Sequence, residues 1–201
     1  MFAVGHLALG YLFGKATSKT LGVNMNMPLM FLLTILPDLD LLSPTMTHRG
    51  PTHSIVVLAL LSAPFLLFYR KTAIPYAVAI GQHLLIGDFL IGGSEQIFWP
   101  LSEEFYGMGI CQWSSLNILT EWILFTISVA ILYKLGDLEN LLKPKILNLT
   151  LIVPLISIGL PLFFGIPVNI PIALFPTHLA YFTLLTISII SDFRRFIQRT
   201  N

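Results

Sequence analysis

The chain has 201 residues, of which 55% are hydrophobic and only 10% charged, against about 25% charged in an ordinary soluble domain. Its 11 basic and 10 acidic residues leave a net charge of +1, with no basic stripe to neutralise phosphates, which excludes a nucleic-acid partner. The single cysteine, Cys111, excludes an intramolecular disulfide and a cysteine-rich zinc site, and the mean hydropathy of +0.82 makes lipid the solvent for most of the surface.

Seven apolar segments follow one another, at residues 2–14, 27–42, 52–69, 73–91, 116–133, 146–164 and 172–190. A full crossing needs about 20 residues at about 1.5 Å each. The last three meet that length. The first two are short, and are either tilted, partly immersed or packed inside the bundle. No ten-residue stretch alternates apolar and polar residues, so a β-barrel is excluded. The fold class is therefore all-α, a polytopic membrane helical bundle of about six to seven helices. No repeat or linker divides it, and residues 1–201 read as a single membrane domain. Pro37, Pro64, Pro154, Pro161 and Pro176 fall within the segments and predict kinks.

Lys15, Lys19, Arg70, Lys71, Lys134, Lys143, Lys145, Arg194, Arg195 and Arg199 all follow segments that end on one side, and Arg49 alone falls on the other. The positive-inside rule makes the side of the ten cytoplasmic, and the C-terminus with it. The loop at residues 43–51 and the interval at 92–115 then face outward.

Most ionisable groups with chemical potential gather toward that outer side. His6 lies among small residues in Gly5-His6-Leu7-Ala8-Leu9-Gly10; it is either a metal ligand or an interhelical hydrogen-bond donor. Asp38 and Asp40 close the second segment. Two carboxylates at that spacing need a cation or hydrogen-bond donors, unless they form only a polar helix end in water. His48-Arg49-Gly50-Pro51-Thr52-His53-Ser54 is a turn flanked by two histidines, after which Thr52 or His53 begins a helix. Imidazole suits zinc; carboxylate suits zinc, manganese or magnesium. Arg49 either binds a phosphate or carboxylate with its planar fork or pairs with Asp38 or Asp40. His83 and Asp88 are five apart, one more than an α-helical face prefers; a helix that loosens there, eased by Gly87, would align them. The interval at residues 92–102 is either a re-entrant lid or an ordinary interfacial loop, with Trp99 and Trp113 suited to the interface. Glu121 and His178 are each single in their helices and read as structural hydrogen-bond partners.

The ordered set Gly5-His6, Leu36-Pro37-Asp38-Leu39-Asp40, His48-Arg49-Gly50-Pro51-Thr52-His53-Ser54, Gln82-His83 with Asp88, and Trp99-Pro100-Leu101-Ser102 resembles the YdjM family, prokaryotic multi-pass proteins described as membrane-bound, metal-dependent hydrolases. The resemblance covers residues 1–102, the site-bearing half, and leaves 103–201 as additional transmembrane helices. It implies a site made of Asp38, Asp40, His48, His53, His83 and Asp88, with His6 nearby. The chain departs from it in spacing His83 and Asp88 by five residues, where the family is associated with four. A distant likeness to zinc-dependent phospholipases C points to phosphoester substrates.

The resulting expectation is a metal-dependent membrane hydrolase of the cytoplasmic membrane with its site toward the extracytoplasmic face. It would bind a divalent metal, zinc before manganese or magnesium, and act on a membrane lipid or another amphiphilic phosphoester. Asp38, Asp40, His53 and His83 would be the core ligands, His48 or Asp88 a further ligand or the general base, and Arg49 the stabiliser of developing negative charge. The alternatives are a membrane scaffold or regulator with a structural metal, and a metal transporter. The transporter ranks last, because no internal repeat or second ligand set is visible.

Overall fold

The computed structural model describes residues 1–42, 47–143 and 146–200. Among them the chain forms eight α-helices and no strand: α1 (Ala3–Leu21), α2 (Met27–Ile35), α3 (Ile55–Tyr69), α4 (Ile74–Gln82), α5 (Ser115–Lys134), α6 (Asp137–Leu142), α7 (Ile152–Phe164) and α8 (Phe175–Thr200). The expected seven segments are recovered, and the short α6 is added to them. Among the described residues four stretches are long and apolar enough to cross a membrane: Ile55–Thr72, Ser115–Lys134, Leu147–Phe164 and Ile172–Phe193. Lys145 and residues 43–46 of the loop expected at 43–51 lie outside the described residues.

The first segment runs further than residues 2–14 and becomes the axis of the molecule. Val4, Leu7 and Tyr11 of α1 pack with Met30, Phe31 and Ile35 of α2, Leu132 of α5, Ile158 of α7 and Tyr181 of α8. From Val4 to Tyr11 every residue of α1 is buried, the mark of a helix enclosed on all sides. Small residues permit this closeness: Gly10 sits directly against the Thr34 side chain of α2. Of the readings open for the two short segments, packing inside the bundle is the one realised. By contrast α3 has no buried residue, and Leu60, Leu67 and Phe68 are exposed along it. That face needs an apolar solvent.

Prolines act differently from a uniform set of kinks. Pro64 and Pro161 lie inside α3 and α7. Pro154 and Pro176 fall in first turns, where the missing N–H has no partner to lose. Pro37 lies two residues past the end of α2, where the chain tightens into a 3-10 turn over Leu36–Leu42. Glu121 and His178 serve structure, as expected. Glu121 accepts the Phe2 N–H at 2.7 Å and an Asn117 side-chain N–H at 3.1 Å, which caps the start of α1 where Phe2 offers no side-chain cap of its own. His178 Nδ1 lies 2.9 Å from the Leu174 carbonyl.

Consecutive long helices alternate in direction. The starts of α1, α3, α5 and α8 meet the ends of α2, α4 and α7 at one end of the bundle, shown by contacts such as Phe2 with Glu121 and His178, and His83 with Thr34. Lys15, Lys19, Arg70, Lys71, Lys134 and Lys143 belong to the other end.

Candidate metal centre

Three local devices deliver side chains to the first end of the bundle. The 3-10 turn after α2 projects Asp38 and Asp40. A second 3-10 turn, Pro51–His53, closes through His53 N–H to Gly50 O at 3.0 Å and buries His53. Helix α3 therefore begins at Ile55, later than the sequence implied, because Ser54 Oγ accepts from Val56 N at 3.1 Å and caps it. The third device is a π-helical stretch, His83–Asp88, continuing α4. A π turn repeats every five residues or so, so the spacing that misaligns His83 and Asp88 in an α-helix aligns them here. Gly87 makes room for this stretch: a Cβ there would collide with the His6 ring.

Among the described residues two groups could hold a metal ion: Asp38, His53, His83 and Asp88; and Asp40, His48 and His53. In the first, His53 Nε2 lies 3.5 Å from Asp38 Oδ1, 3.1 Å from Asp88 Oδ2 and 3.4 Å from His83 Nε2. His83 Nε2 lies 3.4 Å from both Asp38 Oδ1 and Asp88 Oδ2. Four ligands about 2.0–2.1 Å from a tetrahedral zinc ion are themselves about 3.3–3.4 Å apart.

The other ring nitrogens decide which atoms point inward. His83 Nδ1 is 2.8 Å from the Thr34 carbonyl, which only accepts, so Nδ1 carries the proton and neutral Nε2 is a lone pair. His53 Nδ1 faces Thr52 Oγ1 at 3.1 Å and Asp40 Oδ2 at 3.4 Å. Thr52 already donates its hydroxyl proton to Asp40 at 2.7 Å, so His53 Nδ1 is again the protonated nitrogen. With both rings neutral, two imidazole lone pairs and two carboxylate oxygens converge on one point.

A family model described as YdjM inner membrane protein matches residues 1–166. The chain belongs to the YdjM inner membrane protein family. The match extends well past residue 102, through α5 and α7, so helices that carry none of the motif residues still belong to the family unit. No curated protein and no solved structure matches the chain.

Within this YdjM-family chain, the remaining expected residues surround the four-atom cluster. Asp40 is saturated by donors: His48 Nδ1 at 3.0 Å, Arg49 N–H at 3.1 Å and the Thr52 hydroxyl. Burial alone would raise its pKa, but the donors from His48, His53 and Thr52 hold it below the usual carboxylate range. Arg49 pairs with neither Asp38 nor Asp40 through its side chain; its Nη2 donates to Asp88 Oδ1 at 2.9 Å, which turns Asp88 Oδ2 toward the cluster. To reach Asp40 and Asp88 at once, the Arg49 backbone adopts φ +62°, a conformation costing about 1–3 kcal/mol in a non-glycine residue. Gly92 permits the approach, since a Cβ there would meet Arg49 Nη2 at 2.5 Å and Asp88 Oδ1 at 2.9 Å. His6 stacks on His83, centroids 3.8 Å apart, but its Nε2 is 3.7 Å from Asp88 Oδ1, on the side away from the converging atoms.

Glu95 was not among the expected site residues. It is fully buried, and neither carboxylate oxygen has a hydrogen-bond partner. Burial, reinforced by the Asp88 charge, pushes its carboxyl up to about 8, so it is protonated at neutral pH. The only sequence signal was an acid in the polar interval next to the motifs. That interval is seated on the His48–His53 turn: Gln96 N–H donates to Arg49 O at 2.8 Å, and Ile55 N–H to Ile97 O at 2.9 Å.

Proposed function

We propose that Asp38, His53, His83 and Asp88 bind one divalent ion, zinc first, and that the chain hydrolyses a phosphoester there. The observation that carries this is the convergence of four ligand atoms, with each histidine Nε2 lying 3.1–3.5 Å from the other and from both carboxylates. Protonating both histidines instead would set two imidazolium N–H groups 3.4 Å apart, a repulsion that a single cation removes. Zinc supplies Lewis-acid polarisation of a phosphoryl oxygen and lowers the pKa of water.

The chain's own residues supply the rest. Asp40, by holding His53 Nδ1–H, fixes the tautomer that presents Nε2. Its hydrogen bond with His48 Nδ1 leaves His48 Nε2 free as the base that takes a proton from the attacking water. The water oxygen joins phosphorus, the ester P–O bond breaks, and the proton passes to the departing alkoxide to give an alcohol. Arg49 stands beside Asp38 and His48 in the wall of the adjoining cleft, where it meets the negative charge on the phosphoryl oxygens. In this reading Asp88 is a ligand, not the base, because Arg49 and the cluster occupy its two oxygens. The ten basic residues assigned to the opposite end support an outward-facing site. Labelling of Cys111 in intact cells by an impermeant maleimide tests that orientation, and failure to label only in intact cells would reverse it.

A second reading has one observation in its favour: four protein donors already complete a tetrahedron, as in structural zinc sites. Asp38 is the member that opens it, its side chain 13% exposed where the others are sealed. Purified protein should retain one zinc per chain after dialysis and cleave aryl phosphoesters, and His53→Ala should lose both. Zinc retained without cleavage of any mono- or diester would favour the structural site; no zinc retained would end both readings.

A further inference from the structure

The cluster opens on a cleft of roughly 350 Å³ whose two ends differ in chemistry. Asp38, His48 and Arg49 line one part; Phe2, Trp113, Leu160, Pro161 and Val168 make the lining elsewhere mostly apolar, with Gln112 and Ser157 the polar side chains among them. The apolar part is made by the end of α7, the turn after it and the residues preceding α5, where the candidate spans Leu147–Phe164 and Ser115–Lys134 stop and start. Around it Phe163, Phe164, Ile166 and Ile172 are 57–83% exposed. Exposed apolar residues at helix ends belong in lipid, so the apolar end is reached sideways from the bilayer while the polar end sits at the cluster.

The volume limits what fits. Ligand sites span about 300–1,000 Å³, and this cleft is at the small end, with room for one hydrocarbon chain. We infer that the substrate is a single-chain phosphoester amphiphile, an alkyl or prenyl phosphate, whose phosphate meets Arg49 and the cluster while its chain lies along Leu160, Pro161 and Val168. This rests on the phosphoester reading above and adds the chain site to it. Phosphate alone would engage only the polar end, and a two-chain phosphatidic acid would leave one chain outside.

Cys111, the only cysteine of the chain and an exposed one, also lines the cleft, which provides a readout separate from turnover. The zinc-loaded full chain in nanodiscs is alkylated with N-ethylmaleimide while dodecyl phosphate, inorganic phosphate or dioleoyl phosphatidic acid is titrated. Dodecyl phosphate should slow alkylation about tenfold, half-maximally at a concentration at least about tenfold lower than either comparator requires; each added buried methylene contributes about 0.8 kcal/mol, a factor of roughly four. Val168→Trp, or Leu160→Trp should the first not fold, should abolish that advantage and leave inorganic phosphate binding unchanged. Equal protection by phosphate and dodecyl phosphate, equal protection by the two-chain lipid, or a tryptophan variant that weakens all three alike would overturn the proposal. Chain-dependent protection without cleavage would keep the chain site, as a ligand site, and sink the hydrolase reading; cleavage of soluble phosphoesters without chain preference would do the reverse.

Discussion

The two ends of the bundle each bury a carboxylate, and they neutralise it in opposite ways. At the basic end Asp137 accepts from Lys15 Nζ at 2.6 Å and from the Tyr11 hydroxyl at 2.9 Å. That group completes itself within the protein. At the other end Asp38 and Asp88 converge with two imidazole nitrogens, and the two cations beside them, the Arg49 guanidinium at 2.9 Å and the Met1 ammonium at 3.6 Å, both face the outer oxygen of Asp88, Oδ1. A buried ion pair with a full set of donors is a structural tie. A buried group with an excess of lone pairs could hold a cation the chain does not encode.

The largest test of this contrast uses the same near-isosteric change at both ends. At pH 8, Asp38→Asn should lower zinc affinity more than about a hundredfold, beyond the 10–100-fold typical of a supporting residue, and leave the thermal midpoint of the metal-free protein unchanged or higher. Asp137→Asn should leave zinc affinity alone and cost about 1–3 kcal/mol of stability, since Lys15 loses its counter-charge. Isothermal titration and thermal melts in detergent read both. Equal destabilisation by the two variants without metal would erase the distinction.

A smaller effect is expected one layer out. Asp40→Asn keeps a hydrogen-bonding side chain beside His48 and Thr52 but removes the charge that orients His53. Zinc affinity should fall about 10–100-fold, between wild type and Asp38→Asn. A loss as deep as that of Asp38→Asn would make Asp40 a direct ligand and bring the second group, Asp40 with His48 and His53, into the centre.

The last test concerns Glu95 and is read from a pH slope in the metal-free protein. Its carboxyl titrates near 8 in the folded chain against about 4.3 when unfolded. The folded state therefore holds the proton more tightly. The resulting stability is complete below the unfolded value and is lost as pH rises through the folded one. Between those values the metal-free protein should lose stability with a slope of up to about 1.4 kcal/mol per pH unit from this group. Glu95→Gln mimics the protonated form and should flatten that slope in melts run with chelator; an unchanged slope would place the Glu95 proton elsewhere.

How far the sequence could be read follows from which interactions are local. Composition and segment length sufficed for an all-helical membrane protein, because lipid forces every backbone group to be paired within a helix and leaves few charges outside it. Asp38, His53, His83 and Asp88 stood out because ionisable groups are scarce in apolar segments, so each is conspicuous where it occurs. The roles within the site were not legible. Asp40 and Asp38 share one short turn, yet one is saturated by the His48–Thr52 turn while the other opens toward the cleft. Arg49 found its partner across the bundle on Asp88, not on the nearby aspartates. Glu95 carried no periodicity to mark it as buried.

Alone, the sequence determined the solvent, the helical class and the residues rich enough in lone pairs to hold an ion, all consequences of composition and short-range pattern. The spacing of His83 and Asp88 shows where that ends. Five residues misalign on an α-helix, and only the π-helical stretch, with Gly87 leaving room for the His6 ring beside it, puts both on one face. Which lone pairs converge, and which carboxylate is already satisfied, depends on contacts between residues far apart in the chain, as between Arg49 and Asp88 or His6 and Asp88. Tertiary packing alone sets those distances, and at such a site a shift of about 1 Å separates a ligand from a neighbour.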